Sequence, residues 1–480
     1  MFAHILGTFA YEKRTGGNYM LEDILTKQKS FFDTGMKTVL RGQESRFRRV
    51  IIQNGNLVVN ARSEESGICA RAYLNGAYGF ASTAEYSEEA ARKTIEAATK
   101  NARYLDKFNA DKKNAYPEIT GSMITSPRMI IDFEQKRLVD LCKEIDAYIA
   151  KKYPDLLSRT VVYREDTMEK IIVTSDAADG HVAYPRCTAY VILNMASAEG
   201  QPVEVMDSFG GFGHIEDNYS ELNGVYEKID ELYKKLHDKA EGVYASAGVK
   251  TVILHPDVAG MIAHEAVGHT VEADLVQGGS VAGPNLGKKV ASDLVGIVDF
   301  AHTAFGDKAP LPVYIDDEGV PAEDAVLVEG GVLKGYMHDR ESAALYGVKP
   351  QGNARGYAFS DEPLIRMRNT CVLPGKDKLE DMIASVDDGY YLLQTGNGQA
   401  DLTGEFMFGI TMGYEIKNGK LGKAILDTTV SGVAFDMLNT VDMVSDTVTW
   451  NTSGTCGKKQ AMPVSMGGPA IKCKITIGGR

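Results

Sequence analysis

The sequence predicts an α+β protein, with an N-terminal mixed α/β domain followed by a β-rich C-terminal domain. Three observations lead there. In the first half, segments with helically spaced apolar residues alternate with strand-like segments. The second half is mostly short β-branched and aromatic runs separated by glycine turns. The chain has 480 residues, too many for one ordinary core, so two domains are expected, or three. The polar, glycine-containing stretch from His237 to Gly248 separates the two patterns and places the domains at 1–245 and 246–480.

The first half reads in order as follows. Gly67 to Thr83 alternates and is broken by Asn75-Gly76, a hairpin signal. A helix follows, with Ser87 as N-cap, Glu88 and Glu89 in the first turn, and Ile95 and Ala98 on one face. A second helix begins near Asp132. Leu138, Leu141, Cys142, Ile145 and Ile149 recur at its spacing, and Pro154 stops it. Strands are expected from Thr160 onward, then a third amphipathic helix with Leu222, Val225, Ile229, Leu232 and Leu236. The second half opens on a strand, "VKTVILH", followed by a helix with Pro256 at its first position. Beyond it lie short strands and turns, including a tight hairpin at Asn418-Gly419.

Composition excludes several classes. At 44% hydrophobic and 24% charged residues the chain is that of a globular protein. It has no run of 18 or more apolar residues, so no membrane span is expected. A net charge of −13 disfavours nucleic acid and anionic membranes as partners. Residues 1–19 make a poor signal peptide and read as a tail, with Met20 as an alternative start. The six cysteines are scattered without Cys-x-x-Cys, which fits a reducing, cytoplasmic setting.

The chemistry concentrates in "MIAHEAVGHTVEADLV", on the helix that the β-rich domain carries. Zinc peptidases place two histidines four residues apart, about 40° around a helix, so both reach one ion. Here His264 and His269 are five apart, about 140° on a regular helix. A π-bulge between Glu265 and His269 would absorb the extra residue, and Gly268 would ease it. Glu265 follows the first histidine, where the standard motif has a base that takes a proton from the attacking water and passes it to the leaving amine. Catalytic zinc needs a third protein ligand. Glu272, Asp274, His255, His302 and any cysteine are candidates, and spacing does not choose among them.

"HEAVGHTVEADLV" resembles the motif segment of the TldD/PmbA family of metallopeptidases, in its TldD-type subunit. The likeness spans nearly the whole chain. It includes "GICARAYLNGAYGFASTAEYSEEA", "GNARGYAFSDEPLIRMRNTCVLPG", "DGYYLLQTGNGQADLTGEFMFG" and the closing "TSGTCGKKQAMPVSMGGPAIK". The resemblance implies a Zn2+ ion held by His264, His269 and Cys456, with Glu265 as catalytic base. Cys473 stays with the core residues. Gly352, Asn353, Arg355, Arg366, Arg368 and Asn369 fall in a matching segment, and Asn353, Arg355, Arg366 and Arg368 are candidate substrate contacts. The family commonly has Gly-Leu-Glu-Gly-Asp after the second histidine. This chain has Thr270-Val271-Glu272-Ala273-Asp274, which keeps Glu272 and Asp274 as groups that could orient an imidazole. The stretch from Phe32 to Arg49 is reduced relative to the family, and no strand is assigned there.

The leading expectation is a zinc peptidase acting on unfolded or flexible peptides. The resemblance also implies a dimer, either of two copies or with a motif-lacking paralogue. A non-catalytic peptide-binding or scaffolding subunit with a structural metal is the alternative. A third reading is an amidohydrolase acting on non-peptide amides. The intact Glu265 favours an enzyme, because a structural site needs no base.

Overall fold

A computed structural model describes residues 25–109, 116–117, 119, 121–126 and 132–478. The tail over residues 1–19 and the alternative start at Met20 lie outside them. The N-terminal part is a sheet of long strands: β1 (Lys37–Gln53), β2 (Asn56–Leu74), β3 (Ala77–Thr83), β4 (Ile124–Thr125), β5 (Ser158–Thr174), β6 (Gly180–Ala196) and β7 (Pro202–Phe212). Their order is β3-β2-β1-β5-β6-β4, with β7 also paired to β6.

Most of the Phe32–Arg49 stretch left unassigned by sequence lies in β1, near the middle of this sheet and antiparallel to both β2 and β5. Its alternation is hidden because Arg41, Gln43 and Ser45 are buried in a polar junction, not exposed to water. Asn75-Gly76 makes the expected turn, with φ of 51° and 88°. Asn54-Gly55 makes the same turn between β1 and β2, with φ of 48° and 82°. Positive φ at both central residues suits the strand twist, and only glycine and asparagine adopt it readily.

Helices cover one face of the sheet. α1 (Glu88–Asp106) is capped by the Ser87 side chain, which accepts from the Ala90 amide. It buries Ala91, Ile95 and Ala98 against Leu40 and Ile68. α2 (Gln135–Lys152), the short α3 (Ile215–Tyr219) and α4 (Asn223–Ala240) cover the other end of that face. There Leu138, Ile145, Ile229 and Leu236 pack with Val161 and Val191.

β8 (Gly248–Leu254) starts the C-terminal part. It pairs with Asp388–Ala400 on one side and Ile471–Ile477 on the other. Thr428–Val433 and Glu405–Lys417 continue the order, and the last of these returns to Asp388–Ala400, so the pairings close into a ring. A second sheet of six short strands lies beside it and includes Asn369–Val372 and Ser465–Gly468. α5 (Pro256–Ile262) follows β8 directly, with His255 as N-cap. It packs so closely on the second sheet that a Cβ at Gly260 would stand 2.9 Å from the Gly467 nitrogen. One core runs from Leu254 through Val258 and Ile262 to Phe408 and Ile475. The architecture is α+β, and among the described residues no helix is long and apolar enough to cross a membrane.

Candidate metal centre

Residues Ala263–Gly268 continue α5 as a π-helix, and the His269 amide donates to the His264 carbonyl five residues back. The π turn starts slightly earlier than the Glu265–His269 stretch the spacing suggests, and it does what that spacing requires. The two imidazoles lie on one side, with ring centres 5.2 Å apart. Gly268 has ordinary helical angles, φ −53° and ψ −51°. Its lack of a side chain is needed for space, not backbone freedom, because a Cβ there would stand 2.1 Å from the Met367 sulfur.

Cys456 arrives from the far end of the chain on the two-residue strand Thr455–Cys456. Its Sγ lies 3.3 Å from His269 Nε2. One ligand atom each from His264, His269 and Cys456 fall within 4.8 Å of one another. Ligand atoms around a tetrahedral zinc stand about 3.3–3.6 Å apart, so small side-chain adjustments close the set. His264 is fully buried, and neither of its ring nitrogens has a hydrogen-bond partner. Such orphaned atoms cost free energy unless something fills the place of the partner. Two imidazoles and a thiolate suit a borderline-soft divalent ion.

The electrostatics agree. Burial alone would raise the Cys456 thiol, but His264 and His269 beside it bring it down to about 4. By contrast, burial pushes Cys142, Cys187 and Cys371 up to about 12. All six cysteines are unpaired and buried. Burial would depress His269, but Glu272 and Cys456 outweigh it and lift the imidazole to about 10. In the metal-free state the pair is therefore a thiolate and an imidazolium, and an incoming metal would displace the proton.

Glu265 is a quarter exposed, and its carboxylate lies 3.7 Å from His269 Nε2. Glu272 is fully buried and accepts from His269 Nδ1 at 2.8 Å, which leaves Nε2 facing Cys456. Asp274 does not reach the cluster. It pairs with Lys458 at 2.7 Å, and Lys458 also approaches Glu272 at 3.3 Å. His255 caps α5 and His302 stacks on Tyr314, so neither is a ligand.

The four candidate substrate contacts are placed differently from expectation. Asn353, Arg355, Arg366 and Arg368 are all buried, and apart from the unpaired Nε of Arg355 and of Arg366 their donors bind the chain itself. Arg366 donates to the carbonyls of Cys456, Lys458 and Gln460 and so holds the cysteine segment. Arg368 and Asn353 both bind Asp299, and Arg355 binds the Met367 carbonyl. They act as buttresses, because no guanidinium or amide donor is turned to solvent. Lys458 was not singled out by sequence. Two residues after Cys456, in "CGKK", it reads as a surface lysine.

Residues 247–479 match the family model for the PmbA/TldA metallopeptidase C-terminal domain, and residues 39–102 match that for PmbA/TldA metallopeptidase domain 1. The metalloprotease TldD homolog of Buchnera aphidicola (subsp. Acyrthosiphon pisum) is 31% identical over 96% of this chain and 95% of its own. The zinc metalloprotease TldD homolog of Saccharolobus solfataricus is 29% identical over 90% of this chain and 96% of its own. The crystal structure of TldE from Thermococcus kodakarensis shares the fold, with a TM-score of 0.74 at 18% identity, covering 96% of this chain and all of that one. A match of this extent, together with a His-His-Cys cluster on a π turn, leads to one conclusion: the chain belongs to the TldD/PmbA family of metallopeptidases.

Proposed function

We propose that this metallopeptidase is a zinc enzyme that cleaves unfolded or flexible peptides, with Glu265 as its base. The observation that carries this is the position of Glu265. It is a partly exposed carboxylate, 3.7 Å from a ligand imidazole and beside a set of three ligand atoms whose other polar neighbours are buried. A structural metal site has no use for such a group. When bound, zinc supplies Lewis acidity at the peptide carbonyl and lowers the pKa of the attacking water. Glu265 accepts the proton of that water on a carboxylate oxygen and returns it to the leaving nitrogen. Glu272 keeps the His269 proton on Nδ1, so that Nε2 is free as a ligand. Arg366 fixes the Cys456 carbonyl at 2.9 Å and so the direction of its thiolate.

We place the enzyme in the cytoplasm, where six free cysteines persist, as a dimer of two copies or with a motif-lacking paralogue. The test is Glu265→Ala. Peptide hydrolysis should fall by a factor of about 100 to 10,000. Elemental analysis should still find one zinc per chain. Hydrolysis at the wild-type rate would remove Glu265 from the mechanism.

A further inference from the structure

The face of the N-terminal sheet turned away from its helices is covered along one part and open along another. In the covered part, Met168, Lys170, Tyr184 and Arg186 meet Arg355 and Pro463 around a small cavity of about 20 Å³. Beyond it the face opens into a trough of about 600 Å³, lined by Phe47, Arg49, Val162, Arg164, Tyr190 and Met206 among others.

Arg49 and Arg164 stand directly opposite each other in the β1–β5 register. Like charges in that position destabilise a strand pair unless a counter-charge sits between them. The chain supplies little. Asp166 is held by Arg186 at 2.7 and 2.8 Å and reaches Arg164 only at 3.4 Å. The other neighbour of Arg164, the Tyr357 hydroxyl, is neutral. Among the described residues no carboxylate pairs with Arg49. Glu165 and Arg48 also line the trough, but by register they alternate with Arg49 and Arg164 onto the helix-covered face, where they pair with each other, and Asp132 holds Arg48 and Arg62 at the rim. The open face therefore carries a net positive charge, with Arg49 unpaired among the described residues and Arg164 sharing Asp166 with Arg186, on a chain of net charge −13. It also carries exposed apolar surface, with Met206 48% exposed.

The trough is tied to the metal centre. Its β7 edge bonds to the segment leading to Cys456: the hydroxyls of Ser208 and Ser453 are 3.0 Å apart, and Thr452 Oγ1 donates to the Gly210 carbonyl at 2.6 Å. Arg186 donates to the Gly454 carbonyl, two residues before Cys456, at 2.9 Å.

We propose that this trough receives acidic side chains of the peptide substrate, with Arg49 and Arg164 taking Asp or Glu carboxylates from the part of the chain that flanks the cleaved bond. The proposal rests on the peptidase reading above and names its substrate class. Arginines on a half-open apolar surface suit carboxylates, since a guanidinium fork binds them in two places and the low-dielectric floor strengthens the pair.

The test uses three fluorescent peptides of one length, identical except for four Glu, four Gln or four Lys residues. Binding is followed by anisotropy on the full zinc-loaded chain in a Glu265→Ala background, which prevents cleavage. The Glu peptide should bind about tenfold more tightly than the Gln peptide, with the advantage shrinking at high salt. In Arg49→Gln/Arg164→Gln the two should bind alike, while thermal melting shows the fold intact. Equal binding of Glu and Gln peptides by the parent, or a preference that survives the double substitution, would overturn the proposal. So would conversion of a dimer to a monomer by that substitution, which would make the face a contact between copies. Wild-type hydrolysis separates the two readings. Equal cleavage of all three peptides keeps the peptidase and removes the trough. Tight binding of the Glu peptide without cleavage of any keeps the trough and removes the peptidase.

Discussion

Two buried polar regions lie close together in the C-terminal part, and they are built on opposite principles. Around Asp299 both carboxylate oxygens and every Arg368 nitrogen have partners, and the Asn353 Oδ1 is the exception in the network. Its carboxylate accepts from the Arg368 amide and Nε at 2.7 and 2.8 Å, from Asn353 at 3.0 Å and from Thr370 at 3.2 Å. The remaining Arg368 nitrogens donate to main-chain carbonyls, and neither charge is exposed. Around His264 the reverse holds. Both of its ring nitrogens and one oxygen of Glu272 are buried without a partner. A saturated network holds a fold, and unpaired imidazole nitrogens beside a thiol are a donor set that suits a metal.

The largest expected effect comes from breaking the saturated region. Asp299→Ala leaves Arg368 as a buried, unpaired charge, and such a change costs about 3–5 kcal/mol. Urea unfolding should show it as a lower midpoint. Cys456→Ala, compared in zinc-free buffer, should lose far less, because the thiol's polar neighbours are only the two imidazoles, His264 and His269. A Cys456→Ala loss as large as that of Asp299→Ala would mean that both regions are structural. Metal removal should follow closely in size. With zinc at a thousand times its Kd, the bound ion adds about 4 kcal/mol to stability. Chelation should lower the melting temperature of the wild type accordingly and leave that of His264→Ala unmoved.

Two buried histidines sharpen the contrast at smaller scale. Unlike His264, His338 is 3.1 Å from the Ser342 hydroxyl through Nδ1. Burial pushes it down to about 4 from an ordinary 6.5, against a small opposing pull from Asp339. Between those two pH values the unfolded chain binds a proton that the folded chain refuses. The contribution of His338 is therefore fully present above pH 6.5 and declines as pH falls toward 4. The loss reaches up to about 3 kcal/mol. Urea midpoints at pH 7 and pH 4.5 should differ less in His338→Gln than in the wild type. An identical difference would place the acid sensitivity elsewhere.

The sequence makes the metal helix readable because its chemistry is local: two histidines, a glutamate and a glycine lie within six residues, and their five-residue spacing has one structural solution, the π turn. The helices of the first half are readable for the same reason, since Leu138 to Ile149 declare one face by period. Cys456 is different. It lies 187 residues from His269, so resemblance and not spacing brought it forward. β1 was missed because its buried face is polar, and alternation of apolar and polar residues cannot mark a strand whose buried face carries Arg41 and Gln43. Arg366 and Arg368 were misplaced for a related reason. A guanidinium in a loop looks the same in sequence whether it faces a substrate or binds carbonyls in the interior.

Glu272 stands between the two principles and gives the smallest and most diagnostic effect. One of its oxygens binds His269 Nδ1 and approaches Lys458, while the other has no partner. If it belongs to the saturated, structural kind, Glu272→Gln should lower the urea midpoint and leave zinc affinity unchanged. If it orients the ligand, the fold should hold and zinc affinity should weaken by about 10- to 100-fold, the usual cost of losing the carboxylate behind a ligating imidazole. Competition against a chelating dye measures the second quantity directly. We expect the affinity change to dominate, because Gln keeps the size and an acceptor oxygen for Nδ1–H but removes the charge that makes Nε2 a better donor to the metal. A lower midpoint with unchanged affinity would move Glu272 into the scaffold with Asp299 and leave His264, His269 and Cys456 to bind the ion without an orienting partner.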